Sequence, residues 1–388
     1  MVNEVVTEQI KEDVIKWRRY LHQHPELSFQ EDETSNFVYD TLCSFGNLAV
    51  SRPTRTSVMA RLIGRTPGKV LAIRADMDAL PIQEENTFEY VSQKPGVMHA
   101  CGHDGHTAML LAAAKVLSGM QDTIKGEVRF LFQHAEELFP GGAKEMVEAG
   151  VMDGVDMVLG AHLLSTMEIG KYGITYGAMM AAPDTFEITV CGQGGHAAHP
   201  HKVADSVAIA AQLVSNIQHI VSRNTDPLEN LVVSVTQFIA GTAHNVIPES
   251  VYMCGTVRSF DPMIRKTVPQ LLERVTRGIT EAHGATYEFK YENGYSPVIN
   301  DDKITAQLEE SIIDLFGQSA LELFTPCMGG EDFSAYVDKA PGTYIIIGAG
   351  NPDKGITYEH HHPKFTVDED ALPNGVKLFV HSALKLLA

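Results

Sequence analysis

The chain has 388 residues, enough for two domains of ordinary size, with 44% hydrophobic and 20% charged residues, as in soluble globular proteins. A net charge of −19 disfavours nucleic acid and anionic lipid as partners. No apolar run approaches the roughly 18 residues of a membrane helix, and the acidic start "MVNEVVTEQIKEDVIKW" does not read as a signal peptide. Five scattered cysteines, Cys43, Cys101, Cys191, Cys254 and Cys327, argue against a disulfide framework and for the reducing cytoplasm.

In chain order, residues 7–22 form an amphipathic helix, with Ile10, Val14, Trp17 and Leu21 on one face and Pro25 beyond its end. A second helix is expected at about 32–45. Four short apolar runs then read as buried parallel strands: 69–75, 127–133, 155–160 and 343–348. Helical segments at about 105–119 and 142–149 separate the first three. Such alternation implies a mostly parallel α/β sheet covered on both faces. Near Pro183 the pattern changes, as "TFEITVCG" alternates Phe186, Ile188 and Val190 like a half-buried strand. A helix (about 203–222), strands (230–239 and 250–259), a helix (263–283) and a strand (286–292) follow. The order β-α-β-β-α-β implies a small ferredoxin-like α+β domain. The expected organisation is a discontinuous larger domain, 1–182 and 296–388, with residues 183–295 inserted.

Ligands of an open α/β sheet bind beyond the carboxyl ends of its strands. There this sequence places Asp76 and Asp78, then His134, Glu136 and Glu137, then His162, and finally His360 to His362. The loop "HACGHDGH", 99–106, adds Cys101 and His103 within a short glycine-flanked turn. Each residue alone has an ordinary structural explanation: a buried thiol, a solvated acidic pair, a satisfied histidine. Their convergence on one sheet edge implies a metal centre, with donors enough for two ions. The stretch "GQGGHAAHP", 192–200, lacks the G-K-[ST] ending of a phosphate loop and the glycine spacing of a dinucleotide site.

Blocks along nearly the whole chain resemble the dinuclear zinc metallopeptidase group that contains aminoacylase, hippurate hydrolase, indoleacetyl-amino-acid hydrolase and carboxypeptidase G, in its amidohydrolase branch. They include "RRYLHQHPELSFQE", "RADMDALPI", "MHACGHDGHTA", "AEE", "GGHAA", "NVIPE", "GTVRSFD", "GGEDF" and "HHP". The resemblance implies a hydrolase-like catalytic domain with an inserted dimerisation or lid domain. It implies that Cys101, His103, Glu137, His162 and His361 ligate two divalent ions, zinc first, with manganese, cobalt or nickel as alternatives. His361 is chosen from three consecutive histidines because it stands two residues before Pro363, as in the family. Glu136 matches the general base and Asp78 an aspartate that orients a ligand, while Asp76 stands where relatives with an H-x-D motif place a ligand histidine. His196 and Asn245 match residues given to the partner's active site, which implies a homodimer. Arg258 matches a carboxylate-binding arginine, and the Gly329–Gly330 backbone would assist it. Where relatives have proline, this chain has His134. His99, Asp104 and His106 are expected in supporting or structural roles, and Met179, Met180 and Tyr295 as apolar pocket residues.

The implied reaction is hydrolysis of a small N-acyl amino acid to a carboxylate and a free amino acid. A dipeptidase or carboxypeptidase would share the metal centre and differ in the pocket. A non-catalytic metal-binding protein is the reading from another class. Glu136 beside Glu137 argues against it, because a structural site needs no additional base.

Overall fold

The structure is a computed structural model that describes residues 5–388 and divides them into two compact units. The first comprises residues up to Met179, Ile299–Pro326 and Asp332–Ala388; the second comprises Met180–Val298 and Cys327–Glu331. Among the described residues no helix is long and apolar enough to cross a membrane.

The first unit begins with helices α1 (Glu8–Gln23) and α2 (Asp32–Cys43) and strands β1 (Ala49–Ser51), β2 (Val58–Ile63) and β3 (Thr66–Asp76). Helix α3 (His103–Ser118), strand β4 (Lys125–Gln133), helix α4 (Gly142–Glu148) and strands β5 (Met157–Glu168) and β6 (Tyr172–Ile174) follow. The second unit supplies β7 (Ala182–Cys191), α5 (Ser206–Asn224), β8 (Leu231–Ala240), β9 (Ser250–Ser259), α6 (Pro262–Ala282) and β10 (Thr286–Glu292). The chain then returns to the first unit with α7 (Asp302–Phe316), β11 (Leu321–Leu323), β12 (Gly342–Gly350) and α8 (Ala371–Leu386).

The larger sheet has the order β1-β2-β4-β3-β5-β12-β6-β11. Its centre, β4-β3-β5-β12, is parallel, and antiparallel pairings, β2 on β4 and β12 on β6, lie outside it. Central strands are apolar on both faces because helices cover both. All nine residues of β12 are buried, as are all but one of α3. In α1, Ile10, Val14 and Leu21 are buried as the heptad-like spacing requires, whereas Trp17 is only half-buried and Arg18 takes the buried place beside it. The Arg18 guanidinium is neutralised by Asp104, 2.8 Å away.

The second unit folds as β-α-β-β-α-β with the antiparallel order β8-β9-β7-β10, the ferredoxin-like arrangement. Its core is the inner face of that sheet against α5 and α6, including Phe186, Ile188, Leu213, Ile217, Val251 and Leu272. Cys327–Glu331, distant in sequence, belongs to this unit. Met180 bridges Cys327, and the Ala181 amide donates to the Gly329 carbonyl at 2.9 Å.

Candidate metal centre

Strand ends in the first unit set the site. Strand β3 finishes at Asp76, and the chain turns through Met77 into Asp78. Strand β4 finishes at Gln133 and runs through His134 and Ala135 into Glu136 and Glu137. His162 lies inside β5 rather than beyond it, because pairing with β12, Ile346 opposite His162, prolongs the strand to Glu168. Cys101 and His103 flank Gly102, whose φ of 90° is open to glycine and strained for other residues. His103 then opens α3.

These segments bring the donors together. Cys101 Sγ lies 3.4 Å from His162 Nε2, and His361 Nε2 lies 3.2 Å from Glu137 Oε1. Among four groups whose donor atoms lie mutually within 4.8 Å, two contain Cys101: Cys101–His103–Glu137 and Cys101–His162–His360. Cys101 is common to both. His360, which sequence reasoning passed over for its neighbour, therefore stands beside the ligand candidates as well. Adjacent histidines in a turn carry no periodic signal that separates them.

Backbone carbonyls fix the histidine tautomers. A carbonyl only accepts, so the ring nitrogen facing it carries the hydrogen. His103 Nδ1–H donates to the Asp78 carbonyl at 3.0 Å, and His162 Nδ1–H to the Leu163 carbonyl at 2.9 Å. His360 Nε2–H donates to that same Leu163 carbonyl at 2.9 Å. In its neutral form each ring is left with its other nitrogen as a lone pair. His103 Nε2 is buried without a hydrogen-bond partner, and Glu137 Oε1 has His361 Nε2 3.2 Å away. An unpartnered buried imidazole nitrogen 4.0 Å from a carboxylate oxygen is a place for positive charge, which a proton or a metal ion can fill. The donor set, one thiol, imidazoles and a carboxylate, fits a divalent ion of zinc type.

The electrostatics agree. Burial, then the carboxylates of Glu137, Glu136 and Asp76, push the Cys101 thiol well above its ordinary range. Burial pulls the His103 imidazole down, but Asp76, Asp78 and Glu137 outweigh it and raise it to about 10. A cation relieves both, since it stabilises the thiolate and takes the place of the imidazole proton.

The surrounding residues hold the donors in place. Asp78 accepts from Ser28 Oγ at 2.7 Å and from the Glu137 amide at 3.0 Å, and its Oδ1 lies 3.3 Å from His103 Nδ1. Asp76 sits 2.6 Å from Arg74 and 2.7 Å from His106 Nδ1. His106 Nε2 accepts the Leu163 amide at 2.9 Å, so both of its nitrogens are committed within the protein. Asp104 is paired with Arg18 and His22, away from the donors. His99 is buried with both nitrogens unpartnered, and burial lowers it to about 4. His134 pairs with Glu145 of α4 at 2.8 Å, under a close approach by Gly142, where any Cβ would strike the His134 carbonyl. Met179 is fully buried and packs beside Asn300 Nδ2, 3.5 Å from its sulfur, so it is a core residue rather than a pocket wall.

The remaining candidates lie in the second unit. His196 is exposed and opposes Val246 in a two-residue ladder, and the Ala197 amide donates to the Asn245 carbonyl at 3.1 Å, so His196 and Asn245 are neighbours. Arg258 is half-buried on β9, opposite Pro183. Gly329 accepts from Ala181, and Gly330 packs on Pro183 with no room for a side chain.

Comparison with known proteins places this geometry. The model for peptidase family M20/M25/M40 matches residues 72–385. The chain is 68% identical to the N-acyl-L-amino acid amidohydrolase of Geobacillus stearothermophilus over 298 residues, 77% of this chain and 80% of that one. It is 41% identical to thermostable carboxypeptidase 1 of Saccharolobus solfataricus, over 97% of this chain and 96% of that one. Among solved structures, a dinuclear metal-binding M20 peptidase of Bacillus subtilis superposes with a TM-score of 0.87 at 38% identity, over 98% of this chain and 99% of that one. On the extent of these matches, the chain belongs to peptidase family M20/M25/M40.

Proposed function

We propose that the protein hydrolyses the amide bond of N-acyl amino acids to a carboxylate and a free amino acid. The observation that carries this reading is a pair of donor groups sharing Cys101, with a second carboxylate, Glu136, next to the ligand candidate Glu137. The identity to an N-acyl-L-amino acid amidohydrolase supports the substrate class. In this reading Cys101, His103, Glu137, His162 and His361 hold two divalent ions, zinc first, with manganese, cobalt and nickel as alternatives. Bound there, the ions would acidify a water and polarise the scissile carbonyl. Glu136 takes the water's proton and returns it to the leaving amine. Asp78 keeps His103 in its tautomer through Nδ1. His196 donates to the developing oxyanion. Arg258, Asn245 and the Gly329–Gly330 amides bind the product's α-carboxylate.

His196 and Asn245 serve the partner subunit's site, in a homodimer formed through the second unit. The open edge of that unit's sheet supports this: β8 is an outer strand with Phe238 and Ile239 exposed. Five unpaired cysteines support a cytoplasmic location. The second reading, a dipeptidase or carboxypeptidase, is favoured by the 41% identity to a thermostable carboxypeptidase. A panel of N-acetyl amino acids, hippurate and dipeptides, assayed for released amine with and without chelator, decides between them. Release from dipeptides alone would replace the first reading by the second. Release unaffected by chelator would remove the metal centre from both. Subunit sharing is tested by mixing His196→Ala with Glu136→Gln under exchange conditions. Regained activity is expected, because one hybrid site then holds both intact residues. Verified hybrids that stay inactive would refute it.

A further inference from the structure

The turn that delivers Glu136 and Glu137 has an unfavourable backbone. Ala135 has φ 49°, in the left-handed region, and it is fully buried. A non-glycine residue there is strained and persists only where its surroundings impose it. Four non-glycine residues among the described ones have positive φ: Phe29, Asn47, Ala135 and His361. Two of them, Phe29 (φ 65°) and Ala135, donate their amides to the same atom. That atom is Glu31 Oε1, 2.9 Å from the Phe29 nitrogen and 2.8 Å from the Ala135 nitrogen. The other oxygen, Oε2, accepts from Thr56 Oγ1 at 3.1 Å. Glu31 is fully buried, and these contacts place no cation against it.

We infer that Glu31 is a positioning residue, whose side-chain oxygen imposes the left-handed turn at Ala135 and so aims Glu136 and Glu137. The inference rests on the reading of Glu136 as the base. The same segment steadies the site a second time: Ser28 donates to Asp78, which takes the Glu137 amide, and Leu27 bridges Ala79. The turn is thus held at Ala135 by Glu31 and at Glu137 by Asp78, with Glu136 between the two attachments. What Glu31 provides is an acceptor at a given reach rather than a charge. Burial, then the nearby Asp78 carboxylate, push its carboxyl up to about 7, so the neutral form is accessible. Protonated on Oε2, the group still accepts both amides on Oε1 and donates to Thr56.

Reach and charge separate in two variants. Glu31→Gln keeps the acceptor and its reach and loses the charge. Glu31→Asp keeps the charge and falls one methylene short. With hippurate or an N-acetyl amino acid as substrate, Glu31→Gln should stay within about twofold of wild type in kcat. Glu31→Asp should fall about 10- to 100-fold in kcat with KM nearly unchanged, since misplacing a reacting group by an ångström costs that order. Adding Ala135→Gly to Glu31→Asp should recover part of the loss, because glycine adopts positive φ unaided. Overall destabilisation would not be cured this way. Glu31→Gln as impaired as Glu31→Asp would show that charge is needed and overturn the inference, even if Glu31→Asp failed to fold. Glu31→Asp within twofold of wild type would overturn it too. Glu136→Gln, assayed alongside, keeps the two readings apart: if it remains active, the assignment of the base fails, whatever Glu31 does.

Discussion

Two buried polar clusters meet at the first turn of α3, and adjacent residues divide between them. Asp104 belongs to a cluster with Arg18, His22 and Glu84. Arg18 Nε lies 2.8 Å from Asp104, His22 Nδ1 2.8 Å from Asp104, and His22 Nε2 3.1 Å from Glu84. Glu369 reaches Arg18 at 3.3 Å, and the Tyr90 ring lies against the guanidinium at 4.8 Å. His103 belongs to the other cluster, with Cys101, Glu137, His162 and His361. Here one thiol, one carboxylate and three imidazoles stand together with no permanent cation among them, and His103 Nε2 is buried unpartnered. Burial alone therefore does not mark a functional site. What separates the two is whether the protein supplies the opposite charge: in the first cluster it does, and in the second it leaves the place to something else.

The largest effect that tests this contrast is loss of the proposed base. Glu136→Gln should lower kcat by roughly 10²–10⁴-fold while elemental analysis finds metal at the wild-type level. Loss of metal in that variant would make Glu136 a ligand and enlarge the second cluster. Cys101→Ala should reduce metal content and activity together, by roughly tenfold or more in kcat. Cys43→Ala, at an exposed position, should alter neither. A metal-replete, active Cys101→Ala enzyme would remove the atom that joins the two donor groups.

The first cluster predicts the opposite phenotype. Arg18→Met strands Asp104 and should cost about 3–5 kcal/mol in urea unfolding, with kcat of the folded enzyme changed only a few-fold. Unchanged stability with collapsed kcat would mean that this cluster serves the chemistry after all. The smallest effect is a pH dependence at Glu31. Its folded-state value of about 7 lies above the ordinary 4.5, so between those values the folded chain binds more protons than the unfolded one. The stabilisation is complete below about pH 4.5, is lost as pH rises, and is gone above about 7. Urea midpoints of wild type relative to Glu31→Gln should therefore fall across that interval and then level off. A flat difference would show that Glu31 does not titrate there.

Much of this was legible in the sequence because sheet chemistry is local. An apolar run followed by Asp, Glu or His marks a strand end and its donors in one short window, as at Asp76, Glu136 and Glu137. The loop from Cys101 to His103 was legible for the same reason, with Gly102 marking the turn. The contacts that hold those donors were not. Glu31 meets Ala135 across 104 residues, and Arg74 meets Asp332 across 258, with nothing in the spacing to join them. The short antiparallel strands β1 and β2 at one side of the sheet escaped because a brief run next to a longer buried one has little pattern of its own. The extension of β5 past His162 is set by its partner β12, from the far end of the chain. Cys327–Glu331 joins the second unit through two backbone contacts and a proline, none of which a composition shift announces.

That pairing of β5 with β12 also orders events during synthesis. Val158 lies opposite Gly342, and the second unit's sequence lies between them. At about 5–20 residues per second, roughly ten to forty seconds separate the emergence of the two strands from the ribosome. Throughout that interval β5 has an unpaired apolar edge, the kind of surface on which nascent chains aggregate. The second unit, continuous but for five residues, can finish its four-stranded sheet in the meantime. A chain terminated before Gly342 thus carries a complete small sheet and an open large one, and it belongs in the insoluble fraction or on a chaperone.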